Sequence, residues 1–157
     1  MKPPILIFAW GNPSRGDDAL GPLFVEGIEA MNHPAVECQT DFQLQVEHAL
    51  DLHGRERVLF VDASLTAAAP FSFSPIFPDK DASFTTHAMT PQAILHTYTQ
   101  LESCPPPPSW LLAIRGESFE LGEPVCPAAK LNLAAAIIWA RSWLPVVGFG
   151  ELDTGTP

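Results

Sequence analysis

The side chains of this chain whose type and spacing could do chemistry fall in three loops. The first is Gly11-Asn12-Pro13-Ser14-Arg15-Gly16-Asp17-Asp18-Ala19-Leu20-Gly21, with an acidic pair between glycines. The second begins at Asp62, which ends the apolar run Val58-Leu59-Phe60-Val61 and precedes the small residues Ala63 and Ser64. The third is Thr85-Thr86-His87-Ala88-Met89-Thr90-Pro91, with a histidine just ahead of a helix start. Glycines after a strand superficially match a phosphate-binding turn, but a phosphate would meet two carboxylates there, and the lysine of a P-loop is absent. A cation suits the loop better. One acidic residue is enough to cap a helix. Two adjacent carboxylates repel each other without a compensating cation, so one is expected to cap while the other points into a crevice.

Together Asp18, Asp62 and His87 offer two carboxylates and one imidazole with no thiolate, leaving coordination positions for water or substrate. That donor set suits a borderline divalent ion such as nickel, zinc or iron, and ligand identity alone does not choose between them. His33, His48, His53 and His96 stand in weaker contexts, and a generic surface role is expected for each. Other hydrolytic chemistries lack their residues: Ser14 and Ser64 have no GxSxG elbow, no cysteine and histidine share a protease-type context, and HExxH is absent.

The elements that must position these loops follow from periodicity. Ile5 to Ala9 is a continuous apolar run that ends at Trp10-Gly11-Asn12-Pro13, a buried strand entering a loop. Leu20, Leu23, Phe24, Ile28 and Met31 recur at helical spacing, and Pro22 fits only a first turn, so a helix begins between Asp18 and Gly21. Ala35 to Thr40 is a weaker strand, and Phe42, Val46, Ala49 and Leu50 predict an apolar stripe on a following helix. Val58 to Asp62 is the third strand. Phe71 to Phe77, set between prolines, predicts a short strand at a sheet edge with unreadable direction.

Thr90-Pro91 starts a helix, with a hydroxyl to cap and a proline preset for the first turn. Ile94, Leu95, Tyr98 and Leu101 are expected to face the core. Pro105 to Pro108 forms an extended connector into the strand Trp110 to Ile114. Leu131, Ala134, Ala135 and Ile138 predict the inner stripe of a closing helix that ends before Pro145. Strands alternating with helices imply a three-layer α/β/α domain, with a twisted, mostly parallel sheet of about five strands covered on both faces. Ligands of such sheets sit beyond the carboxyl ends of the strands. Residues 1–147 are expected to form this single domain, with 148–157 a frayed tail.

Composition narrows the partners. The 157 residues include 46% hydrophobic side chains and carry a formal net charge of −10, which repels nucleic-acid phosphates and anionic lipid. No apolar run approaches the roughly 18 residues that cross a bilayer, and the start of the chain does not read as a signal peptide. A cytoplasmic protein is expected. Cys38, Cys104 and Cys126 are too widely spaced for a disulfide framework or a CxxC zinc site, and buried inert thiols are expected.

The ordered set of Gly11-Asn12, Asp17-Asp18 and Gly21, then Asp62 at a strand end, then His87 before Thr90-Pro91, then Ile114-Arg115-Gly116-Glu117-Ser118-Phe119-Glu120-Leu121-Gly122, resembles the nickel-iron hydrogenase maturation proteases over nearly the whole chain. The resemblance implies an endopeptidase that removes the C-terminal extension from the precursor of a nickel-iron hydrogenase large subunit after nickel insertion. It implies Asp18, Asp62 and His87, rather than His96, as the metal-contacting and catalytic residues. The nickel would be presented by the substrate, and the protease would act as a monomer on a much larger client. Relatives commonly carry serine where Cys126 precedes Pro127, a departure expected to weaken the last helix cap without touching the chemistry. A nickel-sensing chaperone or adaptor that does not cut, and a general metallopeptidase with its own metal, are the competing activities.

Overall fold

The structure, a computed structural model, describes residues 2–80 and 89–146. His87, the domain limit at 147 and the expected tail at 148–157 lie outside the described residues.

The strands are β1 (Ile5–Trp10), β2 (Val36–Asp41), β3 (Arg57–Ser64), β4 (Phe71–Ile76) and β5 (Ser109–Arg115), joined in one sheet of order β2-β1-β3-β5-β4. All pairings are parallel except β4 with β5. This is the expected mostly parallel five-stranded sheet, and Phe71–Ile76 takes the expected edge with its direction now set as antiparallel. Pro75 lies in β4, an edge position where a missing amide donor is tolerated.

The helices are α1 (Leu20–Glu29), α2 (Pro91–Glu102) and α3 (Pro127–Trp143). Side-chain alternation sorts the two faces. Ile5, Ile7, Ala9, Leu59 and Val61 join a core under α1 and α3. Leu6, Phe8, Val58 and Phe60 join a second core with Leu44, Ala49, Leu52, Ile94, Leu95 and Tyr98. Both faces of the central strands are therefore buried, which is why these strands read as unbroken apolar runs. Among the described residues no helix is long and apolar enough to cross a membrane.

Three helical stripes depart from expectation. The segment after β2 is a 3₁₀ turn, Val46–Leu52, rather than an α-helix. With three residues per turn it buries Ala49 and Leu52, while Phe42, Val46 and Leu50 are exposed. Leu101 shares the inner face of α2 but lies in its last turn, past the end of the core, and is exposed. In α3 the inward positions are Ala129, Asn132, Ala136 and Ala140, and Leu131 and Ile138 face solvent. Small residues win the inner face because α3 lies close to α1: a Cβ at Gly27 would sit 2.6 Å from Ile137 Cδ1.

This phase predicts that Leu131→Ser and Ile138→Ser each change stability by less than about 0.5 kcal/mol, whereas Ala136→Leu overpacks the interface at about 1–3 kcal/mol. Urea unfolding of the three variants checks it, and the opposite order would assign α3 the other face.

Candidate active site at the carboxyl edge of the sheet

β1 sends its helix α1 to one face and toward β2, while the chain returns from β2 across the other face to β3. The strand order therefore reverses between β1 and β3, and a crevice opens at their carboxyl ends. Asp18 comes from the short 3₁₀ turn Gly16–Ala19 that leads into α1. Asp62 is the sixth residue of β3, in register with Ala113 of β5. Two residues beyond Phe60, it shares by alternation the face covered by α2.

Glycines allow this approach. A Cβ on Gly21 would lie 2.6 Å from the Trp10 carbonyl oxygen and 3.3 Å from that of Val61, so the start of α1 sits directly on the ends of β1 and β3. Gly11, at φ +146°, brings its Cα against Asp18, where a Cβ would be 2.1 Å from the Asp18 carbonyl oxygen. The Asn12 amide donates to Asp18 Oδ2 at 2.8 Å. The glycines that looked like a phosphate turn thus seat a carboxylate.

The structure brings Asp18 and Asp62 within electrostatic reach of each other. Burial pushes the Asp62 carboxyl up to about 7, the Asp18 charge adds to the rise, and the Ala63 amide only partly opposes it. A carboxyl that titrates near neutrality can hold or release a proton at working pH. His87 lies outside the described residues, and among those described no cluster of three or more ligating side chains occurs. His96 lies half-buried within α2.

Asp17 behaves differently from its neighbour. It is 1% exposed, and its oxygens accept from the Glu117 amide (2.7 Å), the Ser118 amide (3.2 Å), the Cys126 amide (2.8 Å) and Cys126 Sγ (3.1 Å). Burial alone would raise its carboxyl, but these donors outweigh it and hold the group below the ordinary carboxylate range. Neither Asp17 nor Asp18 caps α1 with its side chain, so the expected capping role is not found. Cys126 makes no cap bond of its own at the start of α3, and its thiol is not the bystander expected. Cys104 is exposed, also against expectation, whereas Cys38 is half-buried and its thiol is pushed up to about 12 by burial and the nearby Glu29 and Glu37.

Two further residues at this edge escaped the sequence reading. Asp41 is the last residue of β2, and its carbonyl accepts from the Gly11 amide at 3.1 Å. His48 is no generic surface histidine: its Nε2 lies 3.3 Å from Asp41 Oδ2, its Nδ1 accepts from the Gln45 amide, and its ring packs 4.3 Å from that of Phe8. The strand-end position of Asp41 was the available signal. A hollow of about 300 Å³ between Gly11, Pro22, Asp41 and Phe42 adjoins the Asp18 loop. A larger apolar hollow of about 770 Å³ lies at the opposite edge, between Phe77, the Pro105–Pro108 connector and Trp110, away from these carboxylates. His33 is also engaged, with Nε2 2.8 Å from the Pro145 carbonyl.

α2 runs antiparallel to β3. Its last residue, Glu102, pairs with His53, which precedes β3, at 3.2 Å. Its first turn therefore lies at the carboxyl edge, where Thr90 caps the Ala93 amide at 3.1 Å. Met89 packs on the same core as Trp10, the last residue of β1.

No family model and no curated protein sequence matches the chain. Solved structures do. The [NiFe] hydrogenase maturation protease HycI of Thermococcus kodakarensis superposes with a TM-score of 0.67 at 20% identity, covering 88% of this chain and 90% of that one. The hydrogenase maturating endopeptidase HybD of E. coli gives 0.66 at 20% identity over 89% and 91%. A hydrogenase 2 maturation peptidase from a Thaumarchaeota archaeon gives 0.65 at 21% identity over 91% and 99%. The chain has the α/β fold of these hydrogenase maturation proteases.

Proposed function

We propose that this protein is an endopeptidase that removes the C-terminal extension of a nickel-iron hydrogenase large-subunit precursor once nickel is in place. The observation that carries the reading is the Asp18–Asp62 pair at the strand-order reversal, in a fold shared along most of its length with maturation proteases. Nickel enters as part of the substrate, held by the client and completed by ligands from this chain. Asp18, Asp62 and His87 are the proposed contacts.

Nickel carried by the substrate would supply a Lewis acid that polarises the scissile carbonyl or the attacking water. Asp62 can face the ion with one oxygen and take the water's proton with the other. The hydroxyl then adds to the carbonyl carbon, the peptide C–N bond breaks, and the same proton passes to the leaving amine. Asp18 is held on Oδ2 by the Asn12 amide and would supply a second negatively charged ligand to the metal. A cytoplasmic monomer meeting a folded client is the setting proposed for this reaction.

The test is a mixing assay read by precursor mass. Nickel-loaded precursor loses its tail and nickel-free precursor does not. His87→Ala folds normally and lowers the processing rate by about a hundredfold or more. Binding without a mass change would make the protein an adaptor. Cleavage of a casein-like substrate by protein that retains its own metal would make it a general metallopeptidase.

A further inference from the structure

We propose that Asp17 is the positioning residue of the carboxylate pair: by gathering donors from the loop after β5 and from the start of α3, it fixes where the loop after β1 holds Asp18. The inference rests on reading the Asp18–Asp62 edge as the reactive site.

Asp17 and Asp18 are adjacent in a 3₁₀ turn, where successive side chains diverge by about 120°. One must turn inward when the other faces the strand ends. The inward one is buried, no cation among the described residues contacts it, and its charge is balanced by amides and a thiol. The Cys126 amide is among them, at the N-terminus of α3, where a negative charge is favoured by the helix dipole. Charge-assisted bonds of this kind are about twice as strong as neutral ones.

The backbone around Asp17 is held on the same partners. Its amide donates to the Ser118 carbonyl at 2.9 Å, the Gly16 amide to that of Glu123 at 3.1 Å, and the Gly122 amide to that of Ser14 at 2.7 Å. A Cβ on Gly16 would be 2.7 Å from the Ser118 carbonyl oxygen, and one on Gly116 would be 2.9 Å from Asp17 Cβ. The two loops are thus pressed together with no slack on either side. Asp18 inherits that placement through one peptide bond; its own amide closes the turn on the Arg15 carbonyl at 3.0 Å, and its side chain is tied by the Asn12 amide. Asp17 touches no reacting atom, so its effect is transmitted through Asp18.

Asp17→Asn keeps the shape but turns an amide toward N–H donors. It is expected to lower kcat for precursor processing roughly a hundredfold with KM within about threefold, the size of effect that follows a small misplacement of a reacting group. Hydrogen exchange at the Asn12 amide should accelerate while the amides of Leu59 and Leu112 in the central strands stay protected. Unchanged kcat with unchanged Asn12 exchange overturns the proposal. So does loss of protection throughout the sheet, which would make Asp17 a support of the fold only.

Should Asp17→Asn fail to fold, Cys126 carries the test. Cys126→Ala removes one donor and is expected to lower kcat about threefold, a modest loss because a thiol is a weak donor, and Cys126→Ser, which restores a donor, to recover it. Identical behaviour of the two variants overturns the proposal. The readouts also separate this inference from the one beneath it. A wild-type protein that leaves every precursor intact defeats the proposed function, while the Asn12 exchange still reports on positioning.

Discussion

Asp62→Asn is expected to reduce kcat/KM for nickel-loaded precursor by at least about a hundredfold, the scale of losing a general base, and at the same time to make the protein more stable at neutral and alkaline pH. The second half follows from linkage. The Asp62 carboxyl titrates at about 7 in the folded protein against 3.8 for an ordinary aspartate. The folded state therefore binds this proton more tightly than the unfolded chain does. The associated stability is fully present below the ordinary value, is lost as pH rises toward 7, and stays absent above it. Asparagine is neutral at every pH and carries neither the desolvation cost of the charge nor the repulsion from Asp18.

The rise in melting temperature on substitution should accordingly be small at about pH 5 and larger at about pH 8. A variant that is inactive and hardier cannot owe its inactivity to unfolding, which makes the pair of measurements decisive. Wild-type turnover would remove Asp62 from the chemistry, and a melting difference independent of pH would contradict its burial beside Asp18. Groups at reactive sites often lower stability in this way.

Gly11→Ala reaches the same loss of processing by the opposite route. The position has φ +146°, and an added Cβ would overlap the Asp18 carbonyl oxygen at 2.1 Å and lie 3.3 Å from Asp18 Oδ1. Backbone strain and overpacking together predict a destabilisation of about 2–4 kcal/mol. Because the atoms displaced belong to Asp18, a folded fraction should still be defective. Gly54→Ala is the control: φ is also positive, +79°, but nothing lies within 4 Å of the added atom. It should cost about 1 kcal/mol and leave processing intact. Urea unfolding and the precursor assay check both variants, and a Gly11→Ala protein with wild-type stability and turnover would refute the account of how Asp18 is seated.

Much of the fold was legible because its signals are local. β1 and β3 are unbroken apolar runs because both of their faces are covered. α1 starts at Leu20, inside the expected interval, and Thr90 caps α2 as its hydroxyl and Pro91 predict. The failures have a common origin. Apolar residues surround α3 on nearly all sides, so periodicity could not say that Ala136 rather than Ile138 is inside; the closeness of α1 decides that. The turn at Val46–Leu52 has a three-residue repeat that a search at 3.6 misreads. The antiparallel pairing of β4 depends on hydrogen bonds to β5, which no pattern within β4 encodes.

The same division runs through the site. Position along the chain was enough to single out the Asp17–Asp18 pair and Asp62 as candidates, since carboxylates just beyond or near the ends of buried parallel strands have only the carboxyl edge to occupy. Local sequence could not tell Asp17 from Asp18, two identical side chains in succession. That assignment belongs to the tertiary structure, because the donors that draw Asp17 inward come from Glu117, Ser118 and Cys126, about a hundred residues away along the chain. Residue type and spacing determined which chemistry was available, and long-range contact determined which of the two carboxylates is taken up by buried donors.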